Sequence, residues 1–186
     1  MSGIIGHMVI SGSGYEIEIW KDKTREEYLF DEITRLTKST GLETTAIAVR
    51  LSTAETSRVI LIRAFGFSSG RAYSGVLLDD LLIVAVGNRV CGLEVPGLVI
   101  RWHIEADLSA VFGVHAIPGS ETDIIVHGEL NLLRMSNSGE IIWTSGGKDI
   151  LTGDLLFVGD SIEISDFEED KYRFRLTDGK SEILKR

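Results

Sequence analysis

The sequence holds one cysteine, Cys91, in 186 residues, so no intrachain disulfide can form. Cys91 sits in the apolar run Arg89-Val90-Cys91-Gly92-Leu93. That setting reads as a buried thiol in a reducing compartment, because a reactive thiolate needs a basic neighbour or a helix N-terminus. Proline is nearly absent, at 2 residues, which excludes a proline-rich linker. No window approaches the roughly 18 apolar residues of a membrane span. The stretch Met1–Ile10 has no basic segment and is broken by Gly3, Gly6 and His7, so it is not read as a signal peptide and a cytoplasmic location is expected.

Positive charge is also scarce. Lys and Arg number 19 against 28 Asp and Glu, a net charge of −9, which argues against a nucleic-acid surface. No glycine loop runs into Lys-Ser or Lys-Thr, and no Gly-x-Gly-x-x-Gly follows a strand. Gly12-Ser13-Gly14 and Gly66-Phe67-Ser68-Ser69-Gly70 lack the pattern of a nucleophile elbow. The 4 histidines, at positions 7, 103, 115 and 127, show no metal-ligand spacing. No cofactor, metal or catalytic residue is expected.

What the chain has is apolar residues, 44% of the total, and 20 glycines. One domain over residues 1–186 is expected. Residues 1–80 read as a hairpin, a helix and first strands. Met8–Ser11 and Tyr15–Trp20 flank Gly12-Ser13-Gly14, with Tyr15, Ile17 and Ile19 alternating with Glu16 and Glu18. Thr24-Arg25-Glu26-Glu27 has the form of a capping box, with Leu29, Ile33 and Leu36 at helical spacing and Gly41 as the stop. Thr45–Leu51, Val59–Phe67, Ala72–Leu78 and Leu81–Val86 read as strands, the last too apolar to have a wet face.

Residues 81–186 read as three repeats. Gly87, Gly128 and Gly159 each end an apolar strand and precede Asn88, Glu129 and Asp160. Trp102, Trp143 and Phe174 each follow fifteen positions later, so glycines and aromatics both step by 41 and then 31. The physical reading is a β-meander whose glycine supplies a positive-φ hairpin and whose ring packs on the next unit. The fold class is therefore mainly β. Antiparallel meander repeats form an open curved sheet or incomplete propeller, with one N-terminal α-helix.

Leu133-Arg134-Met135-Ser136-Asn137-Ser138-Gly139-Glu140-Ile141-Ile142-Trp143 keeps the Ser-Gly and Trp of Ala-x-Asp-x-x-Thr-Gly-Lys-x-x-Trp. Ile164–Phe174 keeps Asp166 and Lys171, with Phe for Trp, and Gly92–Trp102 keeps the Trp. These stretches resemble quinoprotein-type (PQQ-like) β-propeller blades over about 81–177. That family includes quinone-dependent dehydrogenases and non-enzymatic scaffolds, and no quinone-binding pattern is present here. Three units cannot close a ring of about four to eight blades, so the edges must be blunted or paired, for instance across a homodimer.

The candidate binding residues are Trp102, His103, His115, His127, Glu129 and Asp149. Trp102, His103, His127 and Glu129 have an ordinary reading beside the functional one. Trp102 and Trp143 pack units together, or form a ligand platform. His103, with Glu105, lies on a solvated outer face. His127 falls in the apolar column of Val86 and Val158, as a satisfied core histidine. Glu129 is a solvated turn residue. The run Asp154–Asp170, with seven acidic residues and no basic one, reads as solvated turns rather than a calcium loop. The leading functional expectation is a non-enzymatic interaction or scaffold domain with a basic protein partner, touching neither nucleic acid nor membrane. One alternative is a small-ligand-binding or hydrolytic pocket around residues 103–122 with His103, His115, His127 and Asp149. Another is an acidic immunity-type inhibitor of a basic protein.

Overall fold

Strands that alternate or run wholly apolar, separated by glycine and Asp/Asn turns, build four consecutive sheets. The computed structural model describes residues 7–22, 29–37, 43–68 and 75–184. The first sheet contains β1 (His7–Gly12), β2 (Tyr15–Lys21), β3 (Glu32–Arg35), β4 (Thr45–Thr53) and β5 (Ser57–Ala64), in the order β1-β2-β4-β5-β3. The short strand β6 (Phe67–Ser68) then leaves this sheet and pairs, in parallel, with the third.

The second sheet is the meander β7 (Gly75–Leu78), β8 (Leu81–Val86), β9 (Arg89–Glu94) and β10 (Val99–Glu105). The third is β11 (Ala110–Ala116), β12 (Asp123–Gly128), β13 (Asn131–Ser136) and β14 (Ile141–Gly146). The fourth is β15 (Leu156–Val158), β16 (Ser161–Ser165), β17 (Lys171–Arg175) and β18 (Ser181–Leu184). Apart from β3 on β5 and β6 on β11, every pairing is antiparallel. The sheets form an open, mainly β, propeller-like array. The apolar core falls into three layers, one between each pair of successive sheets. Cys91 lies in the first layer, fully buried, and burial pushes its thiol up to about 12.

The expected N-terminal helix is not present among the described residues. Its capping box, from Thr24, lies outside them, but its second half is strand β3. Residues Glu32–Arg35 pair in parallel with Ile60–Arg63, and backbone bonds from Asp31 N to Val59 O (2.8 Å) and from Leu36 N to Arg63 O (2.9 Å) extend the ladder. Ile33 and Thr34 are β-branched and suit a strand. An open sheet edge on β5 satisfies their backbone in a way local sequence cannot report. Leu29, expected on the helix's apolar stripe, is exposed.

The repeat is real but its third copy is out of phase. Trp102 lies on β10 and Trp143 on β14, both fourth strands, whereas Phe174 lies on β17, a third strand. Gly87 and Gly159 have the expected positive φ (60° and 59°), but Gly159 turns between first and second strands where Gly87 turns between second and third. Gly128 is not in a positive-φ turn. It ends β12, and a Cβ there would collide with the Asp107 carboxylate. The matched spacing of the third unit thus compares neighbouring strands, and the position matching Trp102 and Trp143 is on β18.

Trp102 and Trp143 each fasten their sheet to the next. Trp102 donates its indole N–H to Asn137 O (2.9 Å) in the β13–β14 turn, and Trp143 donates to Leu176 O (2.8 Å) in the β17–β18 turn. Gly139 and Gly179, in those same turns, have φ of 87° and 69°, and a Cβ on either would press on the indole, 2.8 Å and 2.7 Å from the nearest atom. Gly92, across the β9–β10 ladder, covers a second part of the Trp102 ring. Arg134 adds a second donor to Leu176 O (2.8 Å) while its other nitrogens hold Asp123.

Replacing Trp102 with Ala removes a well-packed ring and orphans a carbonyl, so a loss of about 3–5 kcal/mol is expected in denaturant unfolding. Gly139→Ala should lose at least about 1 kcal/mol from positive φ alone. In the Trp102→Ala background it should lose measurably less, because the clash with the indole is gone.

Candidate functional site

Two clefts and one exposed surface collect the residues with functional potential. The first cleft, about 340 Å³, opens between the third and fourth sheets at their inner strands. Phe112, His115 and His127 line one wall, with Asp154, Leu155 and Phe157 opposite. His127 is buried, and its Nε2–H donates to Leu151 O (2.8 Å), which fixes that tautomer because a carbonyl only accepts. Its ring meets Phe112 edge-on at 5.4 Å and His115 at 6.2 Å. Burial first, and His127 second, lower the His115 imidazole to about 4. The His115 imidazole thus sits in a setting that disfavours its protonated form.

The other candidate residues do not join this cleft. His103 is exposed on β10, the outer strand of the second sheet, with Arg89 Nη1 3.4 Å from its Nδ1. Burial, then the Arg89 guanidinium, lower its basicity. Asp149 does not line the cleft. Its Oδ1 accepts the N–H of Ile150 at 2.7 Å. Glu129 is half-buried in the β12–β13 loop, where its backbone N–H bonds Ala110 O and its carbonyl accepts Leu151 N–H. Among the described residues no group of three His, Cys, Asp or Glu side chains converges as a metal site.

The second cleft, about 520 Å³, lies at the opposite end, between Asp79, Asp80, Glu94, Arg101, Trp102 and Ser138. Trp102 lines this cleft, with Gly92 and Gly139 packed close to its ring. Glu94 and Arg101 are engaged with each other at 2.8 Å. That contact holds the Glu94 carboxyl below its usual range.

The exposed surface is built by loops at the first cleft's end. Asp107, buried, accepts Ser109 N–H on Oδ1 and Leu130 N–H on Oδ2, both at 2.9 Å. Asp166, also buried, accepts Glu168 and Asp170 N–H on Oδ1 (3.1 and 2.9 Å) and the Tyr172 hydroxyl on Oδ2 (2.7 Å). It is therefore not one of the solvated acids expected in the run 154–170. Each buried aspartate folds a loop whose next residue is driven outward: Leu108 is 71% exposed and Phe167 69%. Phe67, at 71%, and Leu130, at 37%, join them.

These loops are contiguous. Phe67 pairs with Ala110, Ala110 O accepts Glu129 N–H (2.9 Å), Glu129 O accepts Leu151 N–H (2.7 Å), and Phe167 N–H bonds Ile150 O (2.9 Å). Reading residue types and spacing alone missed this surface. The only sequence signal is a turn aspartate followed directly by a large apolar residue, in Asp107-Leu108 and Asp166-Phe167.

No family model and no curated protein matches the sequence. Among solved structures the chain is similar to BamB from Moraxella catarrhalis, a β-propeller of PQQ-like repeats, at 12% identity with a TM-score of 0.63. The match covers 97% of this chain and 49% of that one, so the chain spans about half the length of that protein. The likeness establishes a β-propeller-like fold. Among the described residues no helix is long and apolar enough to cross a membrane.

The depressed basicity of His115 has a stability consequence. Between its ordinary value of 6.5 and about 4, the unfolded chain binds a proton that the folded cleft refuses. Stability should therefore fall as pH drops through that window, by on the order of 2 kcal/mol after allowing for partial exposure. His115→Gln should remove this part of the acid limb when urea midpoints of both proteins are compared from pH 7 to pH 4.

Proposed function

We propose that the chain is a non-enzymatic protein-interaction domain built of PQQ-like blades. The supporting observation is the loop surface at one end of the array. A soluble fold rarely leaves several large apolar side chains out on contiguous loops unless something docks there. Here buried carboxylates, each making several hydrogen bonds, hold the loops in that outward form. The ordering cost of the surface is thus met in the free protein, a feature of preorganised interfaces.

A second reading, a small-ligand cleft, rests on the His115–His127 pair alone, since His103 and Asp149 are placed elsewhere.

A photo-crosslinking residue in place of Phe167 should give protein adducts in cells, while the same residue in place of Ile142, exposed on the outer strand β14, should not. Adducts at both positions alike, or at neither, would overturn the reading. Phe167→Ser should leave the melting temperature within about 2 °C, as befits an exposed position, so a loss of partner could not be ascribed to unfolding.

A further inference from the structure

We infer that the loop surface from Phe67 to Phe167 docks a second copy of this chain, giving a two-fold dimer joined at its loop ends. This rests on the interaction-domain reading and names the partner. Its basis is the order of the apolar side chains. Phe67 pairs with Ala110, two residues on from Leu108. The Asp107 carboxylate ties the start of that loop to the Leu130 N–H (2.9 Å). Backbone bonds through Glu129, Leu151 and Ile150 then lead to Phe167. Along this path the exposed residues read Phe, Leu, Leu, Phe, which is the same in either direction.

A two-fold axis reverses one such row against the other. Phe67 of one copy then meets Phe167 of the other, and Leu108 meets Leu130. The contact is isologous, so each pairing occurs twice, once on either side of the axis. Aromatic pairs in offset or edge-on arrangements add to what their buried area contributes. Phe67, Leu108 and Phe167 are each about two-thirds exposed or more, and Leu130 over a third. With about 150–250 Å² per phenylalanine, the row offers on the order of 400–500 Å² per copy. Set against itself it covers on the order of 1,000 Å², the size at which specific interfaces begin.

The aspartates that build these loops leave recognition to the apolar row. Asp107 and Asp166 turn inward, to backbone N–H groups and the Tyr172 hydroxyl. They also hold the row in place, so little ordering is lost when two copies meet. Net charge sets the sign of one further property. Each copy carries −9, and like charge opposes approach. Salt screens that repulsion, so the dimer tightens as salt is raised. A cationic partner would be released by the same change. Docking by the loop ends leaves the outer strands, β14 among them, open to solvent.

Sedimentation equilibrium of the intact chain should show monomer and dimer exchanging with a midpoint of about 1–100 µM. Association should be at least about threefold tighter in 0.5 M than in 0.05 M salt. Leu108→Ser with Phe167→Ser should weaken it at least about tenfold. Both sites are exposed, so circular dichroism melts serve as the folding control. Ile142→Ser should leave the midpoint unchanged. A photo-crosslinking residue in place of Phe167 should give, in the purified protein, an adduct of twice the chain's mass. Its peptide map should join that position to the segment holding Phe67 of the other copy. A monomer at about 500 µM in both salts, a dimer that survives the double substitution, or cross-links landing on other segments would overturn the inference. A monomer whose position 167 still captures another protein in cells sinks only the second copy as occupant. Absence of any adduct sinks the parent reading.

Discussion

A tryptophan pressed on a glycine turn is the contact on which the array depends. Antiparallel meanders are self-sufficient in backbone hydrogen bonds, and nothing in a ladder specifies how one sheet meets the next. The indoles of Trp102 and Trp143 supply that specification, because each reaches the third-to-fourth-strand turn of the following sheet with both its ring and its N–H. A hydrogen bond to Asn137 O or Leu176 O fixes the position of the ring along the turn, and the glycine fixes its distance. The second and third apolar layers then fill the spaces these two contacts define.

The same device explains which parts of the fold were legible in the sequence. The tryptophans of the second and third sheets are true equivalents, since both serve one structural role, whereas Gly87 lies in its turn and Gly128 ends a strand. The third copy mimicked the pattern because strands and turns in a meander have similar lengths, so a shift by one strand preserves a plausible spacing. The genuine counterpart on β18 is not aromatic, which removed the signal. The first sheet was partly legible, through the alternation in β1, β2, β4 and β5. Its parallel strand β3 was not, because Thr24–Glu27 carries a local helix signature while the partner of Ile33 lies at Leu61, far away in sequence.

The candidate site was legible only in pieces. Histidine density points to His115 and His127, and the pleat does bring them together across β11 and β12. The same signal points to His103 and Asp149, which lie elsewhere, because sequence proximity to a connector says nothing about which sheet a residue joins. The loop surface escaped detection since its members, Phe67, Leu108, Leu130 and Phe167, read as ordinary core residues until burial is known. Asp166 reads as a solvated acid for the converse reason. Polarity in a sequence does not reveal whether a carboxylate is feeding water or backbone N–H groups.

The parallel pairing of Phe67 with Ala110 encloses the whole second sheet within a single chain loop. Its two ladder positions are too few to offset the entropy of closing that loop through a disordered chain. The ladder becomes favourable once β7 to β10 have formed and brought its ends together. In folding terms it is a late clasp, and a chain emerging from the ribosome must complete the second meander before the first sheet can be tied to the third.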